Sequence, residues 1–195
     1  MKEDSTYDYL VILSNAGGEL NLSESRIPVR AAKPDRRNTS MLLSNGFATL
    51  FLVFHPYYSE AFRFTLAGED VIDGRVLERI HFEHIAGMKS PAALALRGRE
   101  YPLELTGTAW IEPDSGSIVK IEAGIADTLQ DVGLKALTSQ IDFAPMPFGD
   151  SKAVYWFPTQ ARVEVETPRQ HWRNLHQFTA YKKFSVSTEE QVTTK

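Results

Sequence analysis

"GTAWIEPDSGSIVKIEAG", residues 107–124, decides how this chain folds. Leu105, Gly107, Ala109 and Ile111 recur at every second position, the period of a strand with one buried face. Pro113 to Gly116 then reads as a turn. Proline pre-sets φ, aspartate bonds its own backbone, and glycine takes the position an L side chain avoids. Val119, Ile121, Ala123 and Ile125 return with the same period. Two alternating runs around such a turn predict an antiparallel hairpin.

The same period continues on both sides of it. Upstream, "RVLERIHFEHIA" (75–86) reads as a strand that follows the turn-rich "GEDVIDG". "AFRFTL" (61–66) puts Phe62, Phe64 and Leu66 inward, with Arg63 and Thr65 outward. Near the N-terminus, "YDYLVIL" (7–13) aligns Tyr7, Tyr9, Val11 and Leu13. "NAGGE" offers glycines for a tight turn, and "ELNLSESRI" returns. Downstream, Leu137, Ser139, Ile141 and Phe143 alternate in one run. Val163 and Val165 alternate against Arg162, Glu164 and Glu166 in another. The last run aligns His176, Phe178, Ala180, Phe184 and Val186.

Three segments break the pattern. "PVRAAKPDRRNTS" (28–40) reads as an exposed loop, and "GMKSPAALALRGREYP" (87–102) as a loop with one irregular strand. "SNGFATLFLVFHPYY" (44–58) suits either a buried strand or a short helix capped by Ser44 or Asn45 and ended at His55-Pro56. The expectation is one short helix near 46–55 covering the sheet. The sum is a mainly β chain with minor α, of eight to ten antiparallel strands. No long helices alternate with them, so a parallel sheet is not expected. The predicted architecture is a strongly bent antiparallel sheet, a partial barrel or a sandwich, in a single domain over 1–187 followed by a polar tail at 188–195.

Composition narrows the function. The 195 residues are 43% hydrophobic and 24% charged, ordinary for a globular domain. A formal net charge of −4 gives no global basic field for nucleic acid. The absence of cysteine excludes disulfides, thiol nucleophiles and cysteine-bound zinc. "FATLFLVF" (47–54) is the most apolar run and is too short to span a bilayer. "MKEDSTYDYL" has no apolar core of a signal peptide, and strand pattern begins within a few residues, which points to a natural start further upstream.

Histidines supply the first candidates for chemistry. His81 and Glu83 share a strand face with Arg79, while His84 lies on the face of Ile80 and Phe82. One metal ion is not easily held by both histidines, because successive side chains alternate. His81 and Glu83 read as a solvated polar face, and His84 as a polar point on a core or cavity wall. In "RQHWRNLHQF" (169–178), His171 and His176 fall on opposite faces unless a turn at Arg173-Asn174 intervenes. Arg169, Arg173, Lys182 and Lys183 make this the most basic part of the chain, and Glu164 and Glu166 are its expected partners, with a basic rim facing anionic lipid as the alternative. No phosphate loop, nucleophile elbow, helical zinc motif or calcium loop is present. No cofactor, metal ion or catalytic residue is implied.

Aromatic residues on inward faces supply the second: Phe51, Phe54, Phe62, Phe64, Phe82, Phe178 and Phe184, with His84 among them and Phe143 nearby. A bent sheet under one short helix either collapses on these rings or encloses an apolar ligand. "GTAWIEPDSGSIVKIEAG", "YWFPTQARVEVE" and "FTAYKKFSV" resemble the hairpin and closing strands of the LolA-like outer-membrane lipoprotein-sorting family, over roughly residues 60–187. The resemblance implies a strongly bent antiparallel sheet forming an unclosed barrel, a half-barrel with helices packed inside as a lid. It also implies a place in the bacterial periplasm, peripheral to the membrane, and binding of acyl chains, lipoproteins or related envelope ligands. The family's long N-terminal helix has no counterpart, so either the chain is a fragment or mature form or the resemblance is partial. Three functions follow as expectations. The first is a non-enzymatic envelope protein binding a lipid, acyl chain or lipoprotein. The second is an interaction or sensor domain presenting an edge strand or the basic face to an envelope protein. The third is a hydrolase using His81 and Glu83, or His171 and His176.

Overall fold

A computed structural model describes residues 5–29, 47–96, 99–127, 129, 133–148 and 154–182. The strands are β1 (Tyr7–Ala16), β2 (Glu19–Pro28), β3 (Phe62–Ile72), β4 (Arg75–His84), β5 (Ala93–Leu96), β6 (Arg99–Pro102), β7 (Leu105–Ile111), β8 (Ile118–Ile125), β9 (Ala136–Pro147), β10 (Val154–Glu166) and β11 (His171–Gln177). Seven of them form one antiparallel sheet in the order β11-β10-β9-β8-β7-β4-β3. The ends of that order do not pair, so the barrel stays unclosed, the partial barrel among the expected architectures. β1–β2 and β5–β6 are separate two-stranded hairpins. The second of these lies where the sequence suggested a loop with one strand, and it takes the described strands past the expected ten.

The deciding hairpin forms at its predicted place. The Glu112 amide donates to Ser117 O and the Gly116 amide to Glu112 O, each at 2.9 Å. The Ser115 hydroxyl closes the turn on the Glu112 carboxylate at 2.7 Å. One detail departs from simple alternation. Ile111 pairs with Ile118 but Trp110 pairs with Lys120, so Val119 is an extra residue on β8. That bulge sends Ile118 toward the main core and packs Val119 with Leu77 and Trp110 instead. The Val119 face read from sequence is therefore corrected. In β1–β2, Gly17 and Gly18 have φ of 64° and 82°, the positive pair that a two-residue hairpin turn demands.

Cover comes from two sources. Phe47–Phe54 is a 3-10 helix, and Pro56–Ser59 adds one α-helical turn, α1. His55 separates them because the residue before proline is pushed to extended backbone, here φ −77° and ψ 136°. Its Nδ1 accepts the Tyr57 amide at 3.1 Å, so His55-Pro56 ends one helix and caps the next. The 3-10 helix buries Leu50, Leu52 and Val53 against Phe82, Ala109, Ile121 and Ile141 of the sheet. The β1–β2 hairpin, which the sequence did not mark as a cover, adds Leu20, with Tyr9 and Leu22 packed beside it. The core therefore lies between the concave sheet face and this two-part cover.

A smaller cluster of Leu77, Trp110 and Val119 sits apart, with Ile72 and Trp156 against it. The Trp110 indole donates to Asp70 at 3.2 Å, and this bond holds the Asp70 carboxyl below its ordinary range. The Arg75 guanidinium of β4 lies 5.5 Å from the ring centre of Trp156 in β10. Those strands are four places apart in the sheet, so the contact measures how strongly the sheet bends.

β11 runs unbroken, with Arg173 opposite Glu164 and Asn174 opposite Val163. The chain reverses at Thr167–Gln170, where Thr167 N–H donates to Gln170 O at 2.9 Å. The turn considered at Arg173-Asn174 does not exist. Strand pairing stops at Gln177, and Ala180 takes a left-handed φ of 56°, so the alternation does not run on through Phe178 and Ala180. Ser44, Asn45, Lys183, Phe184, Val186, most of the 28–40 segment and the 188–195 tail lie outside the described residues.

Candidate functional site

Five of the candidate side chains form one aromatic wall. β3 and β4 pair Phe62 with His84 and Phe64 with Phe82, which places all four on the concave face. The 3-10 helix lowers Phe54 onto them. Phe54 meets Phe82 edge-on at 5.6 Å and lies tilted against Phe64 at 5.5 Å. Phe62 meets Phe82 at 6.0 Å and the His84 imidazole at 5.2 Å, both edge-on. These separations suit the attraction between the positive edge of one ring and the negative face of another.

The wall grades from buried to open. Phe82 is completely buried and Phe62 nearly so, while Phe64 is 37% and Leu66 63% exposed. β3 is an edge strand, and the helix covers only its first residues, so Phe64 and Leu66 share the inward face but lie past the rim of the cover. A bulge between Leu66 and Glu69 then turns the strand, with the Arg79 guanidinium donating to Ala67 O at 2.7 Å. His84 is 9% exposed, and neither of its ring nitrogens has a hydrogen-bond partner. A buried polar group in that condition calls for a physical explanation, because pairing is the rule.

The remaining candidates sit elsewhere. Phe51 packs edge-on against Phe143 at 5.3 Å, under the middle of the sheet. Phe178 meets Tyr9 of the hairpin cover at 5.6 Å. The structure thus brings together Phe54, Phe62, Phe64, Phe82 and His84, and leaves Phe51 and Phe178 as separate supports of the cover. Burial and the neighbouring Glu24 push the Tyr9 phenol well above its ordinary range.

No family model, no curated protein and no solved structure matches this chain. The likeness to the lipoprotein-sorting family therefore stands on the quoted motifs alone.

Neither histidine pair forms a joint site. Glu83 is engaged by Arg63 at 3.2 Å, and His81 stands in register between Thr65 and Thr108. His171 lies 3.4 Å from Glu164, which also accepts from Arg173 at 2.8 Å. That is the meeting of basic strand and acidic neighbour that the sequence suggested. His176, on the other face, is half-buried. Burial foremost, and the Arg26 charge second, hold its pKa below the ordinary 6.5. Its neutral form is favoured by folding, so its contribution to stability is complete above about pH 6.5 and is lost as pH falls through the lower folded value. His176→Asn is expected to flatten the fall in melting temperature between pH 7 and 5. An unchanged slope in a pH series of melts would reject this.

The opposite, convex face carries polar chemistry that the sequence reading passed over. Thr106, Thr108, Glu122, Gln140, Arg162 and Glu164 line an open groove of about 460 Å³. Its two glutamates are each paired with a base beside the groove, Glu122 with Lys120 and Glu164 with Arg173. Among the described residues, no group of three or more histidine, aspartate or glutamate side chains is placed to hold a metal ion. No described helix is long and apolar enough to cross a membrane.

Proposed function

We propose that the chain is a non-enzymatic cell-envelope protein, periplasmic and peripheral to the membrane, that binds an acyl chain or the lipid part of a lipoprotein. One observation carries the reading. His84 is buried without a hydrogen-bond partner inside an aromatic wall that leads outward to exposed Phe64 and Leu66. An acyl chain entering at that rim would cover Phe64 and Leu66, and its terminal carboxyl or ester oxygen would satisfy His84. The apolar part would gain about 25 cal/mol for each Å² removed from water, before ordering costs. Because the 3-10 helix fills the inner wall, entry requires Phe54 to move off Phe64. The quoted resemblance to the lipoprotein-sorting family supports the same class of ligand.

Replacing His84 separates binding from folding. His84→Leu removes an unsatisfied polar group, so the ligand-free protein is expected to gain about 1 kcal/mol. Binding of dodecanoate should fall about tenfold or more, the size of a lost hydrogen bond to a charged group. Titration with dodecanoate and native mass spectrometry of protein expressed with lipid measure both. A wild-type protein that carries no lipid and takes up no dodecanoate overturns the reading, as does a His84→Leu protein that binds as well as the wild type.

A further inference from the structure

A second apolar surface lies on the other side of the sheet, where no sequence pattern drew attention to it. β9 pairs with β8 only from Thr138 to Asp142, while its pairing with β10 runs on to Pro147 opposite Val154. The far ends of β9 and β10 therefore form a two-stranded arm beyond the sheet. Thr159 is an extra residue between Pro158 and Gln160, and this bulge switches the faces of β10. Past it, Ala161 and Val163 face the core, but before it Tyr155 and Phe157 face outward, opposite in direction to Phe143 and Pro158.

Four rings form a continuous row there. Phe157 stacks on Tyr181 at 4.9 Å and meets Phe148 edge-on at 5.6 Å. Tyr155 lies 6.1 Å from Phe148 and 6.3 Å from Phe157. The Tyr181 hydroxyl is anchored on Pro158 O, which fixes the stack. Tyr155 is 41% exposed, and Met146 stands directly opposite it on the same face.

We propose that this outer aromatic face of the β9–β10 arm docks on the surface of an anionic lipid bilayer. Two features favour that occupant over a protein. Residues 143–159 and 178–182 contain two basic side chains, Lys152 and Lys182, and one acidic one, Asp150, a net positive balance that suits an anionic surface. Pro145, Pro147 and Pro158 remove backbone donors from the arm, so it is a poor template for an added strand. Tyrosine and phenylalanine in a row are the side chains that settle at the boundary of headgroups and acyl chains. The surface faces away from the aromatic wall and does not depend on a ligand being held there.

The test uses the full chain with sucrose-loaded vesicles of phosphatidylglycerol and phosphatidylethanolamine. Co-sedimentation is expected for the wild type and a loss of tenfold or more for Tyr155→Ser. Lys182→Gln should cost about fivefold, an effect that salt erases. The absence of native cysteine allows a reporter independent of these variants. An environment-sensitive dye on Met146→Cys, directly opposite Tyr155, should shift to the blue with vesicles, and one on Leu175→Cys in β11 should not. A wild type that ignores the vesicles overturns the proposal. So does binding that survives Tyr155→Ser with the Met146 reporter unmoved. Concentration-dependent self-association without lipid, abolished by Tyr155→Ser, would identify a second copy as the occupant and overturn it equally.

Discussion

Gly107→Ala is expected to be among the most damaging single substitutions in this chain. A Cβ at position 107 would stand 2.2 Å from the backbone oxygen of Glu122 and 2.8 Å from the Cα of Ala123. It would also stand 2.6 Å from the Phe82 ring. The ring can tilt, but the two backbone atoms belong to β8, which is paired with β7 along its length and cannot step aside alone. Overpacking a tight core ordinarily costs about 1–3 kcal/mol, and a clash with backbone belongs at or above the top of that range. A domain is stable by only about 5–15 kcal/mol, so much of the margin disappears. Urea unfolding should show a midpoint far below the wild type with an unchanged slope. The same change at Gly116, whose Cβ meets nothing within 4 Å, carries only the strain of its φ of 66° and serves as the milder control. Equal losses at the two positions would mean that close strand approach is not what Gly107 provides.

Gly107 also marks where sequence reasoning reached and where it stopped. The hairpin around it was legible because two independent signals agreed, the turn at 113–116 and the period of two on either side. The central strands β7 and β8 follow from such agreement, and β9 from its period alone. Bulges defeated the pattern wherever they occurred. An extra residue at Val119, at Ala67-Gly68 or at Thr159 reverses the faces beyond it, and nothing in composition announces it. The outward aromatic row stayed hidden for that reason, although the density of rings in "FAPMPF" and "VYWFP" was a usable signal. Edge position was equally invisible. Phe62 and Phe64 look equivalent in sequence, yet one is buried and the other 37% exposed, because cover is a tertiary property. The polar split of His81 from His84 was readable from alternation alone, whereas the missing partner of His84 required the packed neighbours.

Phe82→Ala is the second large effect, and it acts by the opposite means. Phe82 is completely buried and touches Phe54 from the helix and Phe62 from β3, with Gly107 directly beneath it. Truncation removes a whole ring, and the backbone of four paired strands cannot collapse to fill the space. The loss is expected at about 3–5 kcal/mol, the transfer term and the cavity term together. Phe64→Ala removes the same number of atoms from a ring 37% exposed at the rim, and should cost roughly 1 kcal/mol. The pair also interrogates the wall as a ligand site. The new cavity behind Phe54 lowers the work of moving the helix, so dodecanoate uptake by Phe82→Ala should match or exceed the wild type despite the lower stability. Phe64→Ala should bind less while folding almost normally. The position with the larger stability loss would then show the smaller binding loss, a crossing that general unfolding cannot produce. If both variants instead lose binding in proportion to stability, the aromatic wall is a core and its rim is not a door.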